Sequence, residues 1–352
     1  MNNNPANITE RVNSILSRYR GDVIAGMNAA LDRPGVDHLR YMRYHLGWED
    51  ADGATTDAGA GKMLRPALCL LCCEAVGGDT SCALPAAIAI ELLHNFTLIH
   101  DDIEDGSDLR HGRPTLWRVA GVPQAINAGD GLFVIARRTL LDLRNAGVPA
   151  DRTLDAARIL DEACVALCEG QYADIGFETR DRVTPAEYES MIRGKTSALL
   201  GAAAAIGALA GGASDEAVEA FQHCGELLGL AFQIQDDVLG IWGETGDTGK
   251  PVADDIRSKK KSFPIVYAFE HFNDADKQRL TEIYSRDPLR DEDVGDVLAL
   301  FSRAEPNARR AAILAAERHA DAALAALSPL DLDANHRADI EALASFFVSR
   351  TM

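Results

Sequence analysis

The chain has 352 residues, of which 47% are hydrophobic and 25% are charged; this composition is typical of folded globular proteins and excludes extended disorder. Its formal net charge of -19 argues against nucleic acid or an anionic membrane as the main partner, because both bind basic surfaces. The first residues lack a signal peptide's basic and apolar parts, and no uninterrupted apolar run approaches the ~18 residues of a membrane span. We therefore expect a cytoplasmic protein with no stable membrane insertion.

Helical periodicity dominates the sequence from one end to the other. The predicted helices cover residues 8–31, 62–76, 81–104, 124–145, 151–177, 185–210 and 215–242. Loops are predicted at residues 47–61, 106–114 and 243–261, where glycine and polar residues interrupt the pattern. Because no segment has the strand–turn–strand rhythm of a β domain, we predict one all-α domain over residues 1–352.

Two predicted helices, around residues 84–99 and 227–241, are apolar on most sides. Such helices lie at the centre of a bundle, where other helices surround them. We therefore expect a helical bundle whose middle holds an apolar cavity.

The seven cysteines are odd in number and lie in apolar, helical-looking segments. Cys69 and Cys72 form a Cys-x-x-Cys pair, but no second pair follows at zinc-site spacing. We interpret them as buried thiols, which agrees with a reducing cytoplasm.

Each of the two central helices ends in adjacent aspartates. Asp101 and Asp102 are followed by Asp105, which shares a helix face with Asp101. The second helix carries Asp236 and Asp237. Carboxylates packed in this way repel each other unless a cation lies between them, and oxygen ligands suit Mg²⁺ shared with substrate phosphates. The alternative is a solvated acidic helix end.

Basic residues occur in the sequence breaks beside these carboxylates. They are Lys62, Arg65, Arg110, Arg113, Lys195, Lys250 and residues 259–261. Together with bound metal ions they indicate a diphosphate clamp, which would explain how so acidic a protein binds an anionic substrate.

Taken in order, these motifs resemble the trans-isoprenyl diphosphate synthase (polyprenyl synthetase) family over residues 61–264. The matching segments are Gly61-Lys62-Met63-Leu64-Arg65-Pro66, Asp101-Asp102-x-x-Asp105, Arg110-His111-Gly112-Arg113, Gly170-Gln171-x-x-Asp174, Lys195-Thr196, Phe232-Gln233-x-x-Asp236-Asp237, and Gly249-Lys250 with Asp255, Lys260 and Pro264. The resemblance implies the all-α isoprenoid synthase bundle, a homodimer, and head-to-tail condensation of isopentenyl diphosphate with an allylic diphosphate.

The resemblance also implies roles for individual residues. Three Mg²⁺ ions per active site would have Asp101, Asp105 and Asp236 as direct ligands, with Asp102 and Asp237 in support. The allylic diphosphate would be held by Arg110, Lys195 and Lys260, with Lys250 and Gln233 as neighbours. The isopentenyl diphosphate pocket would comprise Gly61, Lys62, Arg65 and His94, and Gln171, Asp174 and Thr196 would be supporting residues.

These residue types suit ionisation of an allylic diphosphate. Metal ions and fixed cations stabilise the departing anion electrostatically. The isopentenyl double bond then attacks the carbocation, and the released diphosphate would act as the base. Apolar helices would hold the growing chain and exclude water.

Two positions depart from the family pattern. Gly240 stands where the second Asp-rich motif has its third acidic residue. We expect this change to leave fewer spare carboxylates in the motif rather than an inactive site. His111 stands where the family has a second arginine that contacts isopentenyl diphosphate. Histidine is a pH-dependent donor, so isopentenyl diphosphate binding is predicted to weaken above neutral pH; a flat affinity over roughly pH 6 to 8.5 would count against this.

Product length is predicted from the residues before Asp101. Thr97 lies one turn, ~6 Å, below Asp101 on the same face, so spacing favours Thr97 as cavity-facing. The family pattern gives Phe96 the larger role, whereas an ordinary core phenylalanine fits the spacing equally well. An aromatic residue followed by a small one resembles short-chain members, so we expect geranylgeranyl diphosphate (C20) or farnesyl diphosphate (C15) as product, and a longer product from Phe96→Ala.

Three other functions fit parts of the sequence. A terpene cyclase on the same fold would ionise a single prenyl diphosphate; Lys62, Arg65 and His94 argue against it, while His111 and Gly240 favour it. A non-catalytic partner of a related synthase would have little reason to keep Asp101, Asp102 and Asp105. A phosphohydrolase is suggested by His100-Asp101, but it lacks an upstream histidine set at metal spacing.

Overall fold

The computed structural model describes residues 5–33, 36–56, 61–243, 252–303 and 306–349. Lys250, predicted to lie beside the allylic diphosphate, is outside these residues. Helices fill most of the described chain. They are α1 (Pro5–Ala30), α2 (Leu39–His45), α3 (Leu64–Ala75), α4 (Thr80–Glu104), α5 (Leu116–Ala120), α6 (Val122–Leu140), α7 (Ala150–Glu178), α8 (Pro185–Ile192), α9 (Ala198–Ala210), α10 (Asp215–Trp242), α11 (Asp254–Arg257), α12 (Phe263–His271), α13 (Asp274–Tyr284), α14 (Asp291–Phe301), α15 (Ala308–Ala326) and α16 (Ala334–Ser349).

The centre of the bundle is formed by α3, α4, α9 and α10, which pack on one another. Small residues let these helices approach closely. An added Cβ atom at Gly207 of α9 would lie 2.0 Å from the Cys69 carbonyl oxygen of α3, so only glycine fits there. The predicted all-α bundle is confirmed.

Helix α4 is the one helix in the described residues that is long and apolar enough to cross a membrane. Within its most apolar window, 56% of the residues are buried inside the bundle, as in a core helix. The sequence criterion did not detect it because Glu91, His94 and Asn95 interrupt the apolar run.

Three local predictions were wrong in detail. The predicted loop at 106–114 contains a short hairpin, β1 (Leu109–Arg110) with β2 (Arg113–Pro114). His111 and Gly112 make its two-residue turn with φ of 51° and 73°, as a type I′ turn requires. The predicted helix 185–210 is interrupted by one π-helical turn, Arg193–Ser197, and the predicted loop 243–261 contains α11.

The prediction for the Cys-x-x-Cys pair is confirmed, since Cys69 and Cys72 are buried free thiols in α3. Burial also raises their pKa well above the ordinary value, which makes them poor nucleophiles and poor metal ligands. A second, smaller apolar cluster lies between the end of α10 and helices α11 to α14. The single domain over residues 1–352 stays a prediction.

Candidate active site

The first group of carboxylates occupies the last turn of α4, whose C-cap is Asp105. Asp102 is only 2% exposed, and the Arg110 guanidinium donates to both of its carboxylate oxygens at 3.0 and 2.9 Å. Asp101 is less buried and accepts weaker contacts from Arg110 at 3.4 Å and Lys195 at 3.2 Å. The two neighbouring aspartates therefore differ, because Asp102 is anchored and Asp101 faces the cleft.

Asp105 reaches solvent at the mouth of the cleft. The pKa of Asp105 is raised to about 6, mainly by partial loss of hydration and secondly by the negative charge of Asp101. A carboxylate in this position gains from a cation beside it. Gln171, a predicted supporting residue, lies next to this group and donates to Glu104 at 2.7 Å and Asp101 at 3.4 Å.

The second group of carboxylates, on α10, repeats this division. Asp237 is 2% exposed and accepts from the Tyr188 hydroxyl at 2.6 Å, the Phe263 backbone N–H at 2.7 Å and the Gln233 amide at 3.0 Å. Asp236 is only half-buried. The oxygens of Asp237 are thus occupied by protein donors, and Asp236 is the more exposed member of the pair.

Lys260 connects the two groups. Burial would lower its pKa, but four surrounding carboxylates outweigh that effect and raise it; they are Asp255, Asp237, Asp174 and Asp101. Its side chain is nevertheless accessible to solvent, as expected of a residue that lines a water-filled cleft. The ends of α4 and α10 therefore face the same cleft, as the sequence predicted.

Asp255 occupies the space next to Gly240. A Cβ atom at Gly240 would lie 2.5 to 2.8 Å from the carboxylate atoms of Asp255. Asp255 is 7% exposed and belongs to α11. A carboxylate is thus present near the third position of the second Asp-rich motif, although α10 does not supply it.

Lys195 reaches the cleft from the π-helical turn, a feature often found at functional sites. Its Nζ lies 2.5 Å from Asp174 as well as 3.2 Å from Asp101. The turn packs directly on α7 at Gly170, where a Cβ atom would lie 2.2 Å from the Lys195 backbone nitrogen. The close approach of α7 to the π-helical turn therefore explains why the Gly170-Gln171 motif has a glycine. Thr196, the next residue, donates to Gln233 at 2.7 Å.

The predicted isopentenyl diphosphate residues line an adjoining pocket of about 360 Å³, which Asp102 and Arg110 also line. Arg65 and His94 meet there at 3.1 Å between Nη1 and Nε2. Gly61 and Lys62 are exposed at its edge, and the Lys62 ammonium lies 5.7 Å from the centre of the Phe346 ring. All four predicted residues are brought together.

The hairpin forms the opposite wall of this second pocket. Burial, followed by the charge of Arg110, holds the pKa of His111 below its ordinary value. If His111 in the free enzyme makes the affinity for isopentenyl diphosphate depend on pH, that affinity should therefore change at a pH below the ordinary pKa of histidine. Arg113 does not supply a mobile cation, since it donates to the carbonyls of Tyr44 at 3.1 Å and Glu49 at 2.8 Å.

The sequence did not single out His45 or Asn95, which line the same pocket. His45 ends α2, a short helix outside every motif, and Asn95 lies within the largely apolar helix α4. One feature of the sequence could have indicated Asn95: it is a polar residue, next to the predicted site residue His94, in a largely apolar helix.

Phe96 lies between α4 and α6. Its ring centre is 4.9 Å from that of His100 and 5.3 Å from that of Phe133. Thr97 is half-buried, and its hydroxyl donates to the His94 carbonyl at 2.7 Å. His100 packs against α6, with Nε2 3.3 Å from the Ile126 carbonyl oxygen, which does not support a metal-binding His100-Asp101 pair of a phosphohydrolase.

The donor set suits a divalent metal that shares substrate oxygens. In the described part of the chain, no group of three or more His, Cys, Asp or Glu side chains is arranged to hold a metal ion alone. Mg²⁺ characteristically takes only one or two carboxylates and completes its coordination with phosphate and water. The less buried Asp101, Asp105 and Asp236 fit this chemistry.

Comparisons with known proteins agree with this site. The Polyprenyl synthetase family matches residues 54–301. The chain is 37% identical over 317 residues to the (2E,6E)-farnesyl diphosphate synthase of Mycobacterium tuberculosis, covering 89% of this chain and 86% of that protein. It is 41% identical over 262 residues to a geranylgeranyl diphosphate synthase of the same organism, covering 74% of each.

A solved structure shows the same fold. The polyprenyl synthetase from Streptomyces coelicolor A3(2) aligns with a TM-score of 0.88 and 37% identity, over 96% of this chain and 99% of that one. Members of the family use divalent metal to ionise diphosphates. By its motifs, its fold and its relatives, the chain belongs to the polyprenyl synthetase family of trans-prenyltransferases.

Proposed function

We propose that this enzyme condenses isopentenyl diphosphate with an allylic diphosphate, head to tail, to give a C15 or C20 product. The observation that carries this proposal is the pair of adjoining sites. One is the cleft with carboxylates from α4 and α10 and the cations Lys195 and Lys260; the other is the basic pocket around Arg65 and His94. Two diphosphate sites are what a two-substrate condensation needs, whereas a cyclase that ionises one substrate needs only the first.

Bound divalent metal, proposed to be three Mg²⁺ ions, would neutralise the leaving diphosphate. Asp101, Asp105 and Asp236 would hold it, with Asp102 and Asp237 fixing the helix ends. Arg110, Lys195 and Lys260 would add positive charge to the departing group, with Lys250 and Gln233 as neighbours. Such preorganised charges lower the barrier to ionisation because they need little rearrangement as charge develops.

The second pocket would orient isopentenyl diphosphate, and its binding residues would include Gly61, Lys62, Arg65, His94 and His111. Binding both substrates beside each other converts the carbon–carbon bond formation into an effectively intramolecular step. Thr196 would act indirectly, since its hydroxyl holds Gln233 and Gln233 holds Asp237. The surrounding apolar helices would shield the carbocation from water.

Phe96 and Thr97 would limit chain length from their place below Asp101. The C15 and C20 products are supported by the short-chain pattern of these residues and by the farnesyl and geranylgeranyl diphosphate synthases among the relatives.

We also propose a cytoplasmic homodimer. Large apolar side chains are exposed along α6 and α7, including Val134 at 63%, Leu154 at 67%, Val165 at 60% and Tyr172 at 82%. Several large apolar side chains exposed on two helices are typical of a subunit interface. Sedimentation equilibrium should give twice the chain mass, and replacing Leu154 and Val165 with lysine should give the single-chain mass.

The deciding experiment is an assay of radiolabelled isopentenyl diphosphate with C5, C10 and C15 allylic primers, with products sized by chromatography. We expect labelled C15 or C20 diphosphates. A parallel incubation with a C15 or C20 diphosphate alone separates the alternatives, because a cyclic hydrocarbon or alcohol formed without isopentenyl diphosphate would contradict the proposal.

A further inference from the structure

The second pocket lacks the second arginine of its motif, and the hairpin offers no other mobile cation. Arg113 donates to two carbonyls and lies 4.6 Å from the centre of the Tyr44 ring, so it is a fixed part of the wall. Arg110 is directed toward Asp102 and Asp101. Beyond Arg65 and the Lys62 ammonium at the pocket's edge, a diphosphate bound beside His111 would gain from a further donor.

His45 occupies the position from which such a donor could come. It lines the same pocket as Arg65, His94 and His111. The end of α2 is tied to the hairpin, since the Tyr44 hydroxyl donates to the Pro114 carbonyl at 2.7 Å. The His45 ring is thus held between the hairpin and α4.

A short chain of hydrogen bonds sets the orientation of the His45 ring. The Asn95 amide nitrogen donates to the backbone carbonyl and side-chain carboxylate of Glu91 at 2.8 and 3.3 Å. The Asn95 side chain also hydrogen-bonds the His45 ring. Because its nitrogen donates to Glu91, its oxygen is the atom placed to accept from that ring. The ring nitrogen bound to Asn95 therefore carries the hydrogen, and the other nitrogen must gain a proton before it can donate to an anion.

The charges around His45 explain how an anion would change it. Burial lowers the pKa of His45 to about 3. Positive charge on the hairpin adds to this effect, from Arg110 and Arg113 and, when it is protonated, from His111. An incoming diphosphate would neutralise these charges and favour the protonated ring, which is then a charged donor.

We propose that His45 is a diphosphate-binding residue of the second pocket and acts with His111 in place of the missing arginine. The inference rests on the proposed function, because it assigns His45 to the isopentenyl diphosphate site. Glu91 and Asn95 are then positioning residues, which orient the ring without touching substrate.

The first test measures KM for each substrate in His45→Ala and His45→Gln. A lost charge-assisted hydrogen bond should raise KM for isopentenyl diphosphate by about tenfold and leave KM for the allylic diphosphate unchanged. His45→Gln keeps a side chain that can bond to Asn95, so it provides a folded variant if His45→Ala melts early. The matched control is His38→Ala at the start of the same helix, which should behave as wild type.

The second test repeats the substitution in a His111→Arg background. A guanidinium at this position supplies a permanent charge, so the effect of His45→Ala should shrink to less than about threefold. A structural role for His45 predicts the same loss in both backgrounds, and that result would overturn the inference.

The outcomes also separate the inference from the proposed function. If wild type elongates normally while His45 variants keep the wild-type KM for isopentenyl diphosphate, only the inference fails. If KM rises equally for both substrates, the assignment to the second pocket fails. A wild-type enzyme that does not consume isopentenyl diphosphate would overturn the proposed function and this inference together.

Discussion

The Asp255 carboxylate lies against Gly240, 2.5 Å from the position that a Cβ atom at residue 240 would take. The two residues are far apart in sequence, but α11 brings Asp255 to the face of α10 that carries Asp236 one turn earlier. A carboxylate from another helix thus occupies the space beside the third position of the second Asp-rich motif. Its negative charge also helps to raise the pKa of Lys260.

Restoring the family's aspartate at residue 240 should therefore be harmful. Gly240→Asp would displace Asp255 and place two carboxylates together, so we expect kcat to fall by at least about tenfold. The double variant with Asp255→Gly would remove the conflict and should recover most of the loss. Steady-state kinetics of the three variants test this; a Gly240→Asp enzyme more active than wild type would contradict it.

Gly170 is expected to control the position of Lys195. A Cβ atom at Gly170 would press on the backbone of the π-helical turn at 2.2 Å, so Gly170→Ala should shift Lys195 away from the cleft. A displacement of about 1 Å at a catalytic group can reduce turnover by ~10². The melting temperature, measured by thermal denaturation, and kcat should both fall.

The control for this variant is Gly176→Ala on the same helix. No atom lies within 4 Å of an added Cβ at Gly176, so alanine there should stabilise the helix by about 0.5–1 kcal/mol. Equal effects of the two substitutions would show that helix propensity, not contact with the turn, explains the result.

Metal removal should abolish activity without unfolding the protein. Asp102 and Asp237 are satisfied by protein donors, and Lys195 and Arg110 lie against Asp101. The fold therefore does not depend on a metal to separate these carboxylates. Dialysis against EDTA should eliminate turnover, leave the circular dichroism spectrum unchanged, and be reversed by Mg²⁺. Undiminished turnover after chelation would refute the proposed chemistry.

Product length should respond to Phe96 and to the residue that supports it. Phe96→Ala is expected to open the space between α4 and α6 and give longer products, and Phe133→Ala a smaller shift, because Phe133 supports the ring. Chromatographic sizing of the products tests both. Thr97→Phe provides the alternative: if it shortens products while Phe96→Ala has no effect, spacing rather than the family pattern identifies the limiting residue.

Much of the fold and site could be predicted from local pattern. Helix 215–242 was predicted with the bounds that the structure has, because an N-cap serine and a long apolar period mark it clearly. The paired aspartates were predicted to be metal ligands because like charges at the ends of apolar helices need a cation. Such features depend only on residues close in sequence.

The remaining features depend on contacts between distant residues. The residues near Gly240 do not predict that Asp255 fills the space beside it. The residues near Lys195 do not predict the π-helical turn either, since that turn packs on Gly170 of another helix. His45 was missed for the same reason. Its proposed role depends on the hairpin and Asn95, which only the tertiary fold brings to it.

Placing Asp101 and Asp105 in the last turn of α4 has a consequence for evolution of the enzyme. The C-terminal end of a helix carries a partial negative charge of roughly half an electron, so these carboxylates stand where the backbone itself disfavours them. A neutral substitution of Asp105, whose charged form is already disfavoured by lost hydration and by Asp101, should make the apoprotein more heat-resistant while destroying turnover. Selection for heat stability and selection for catalytic activity thus favour different residues in this turn.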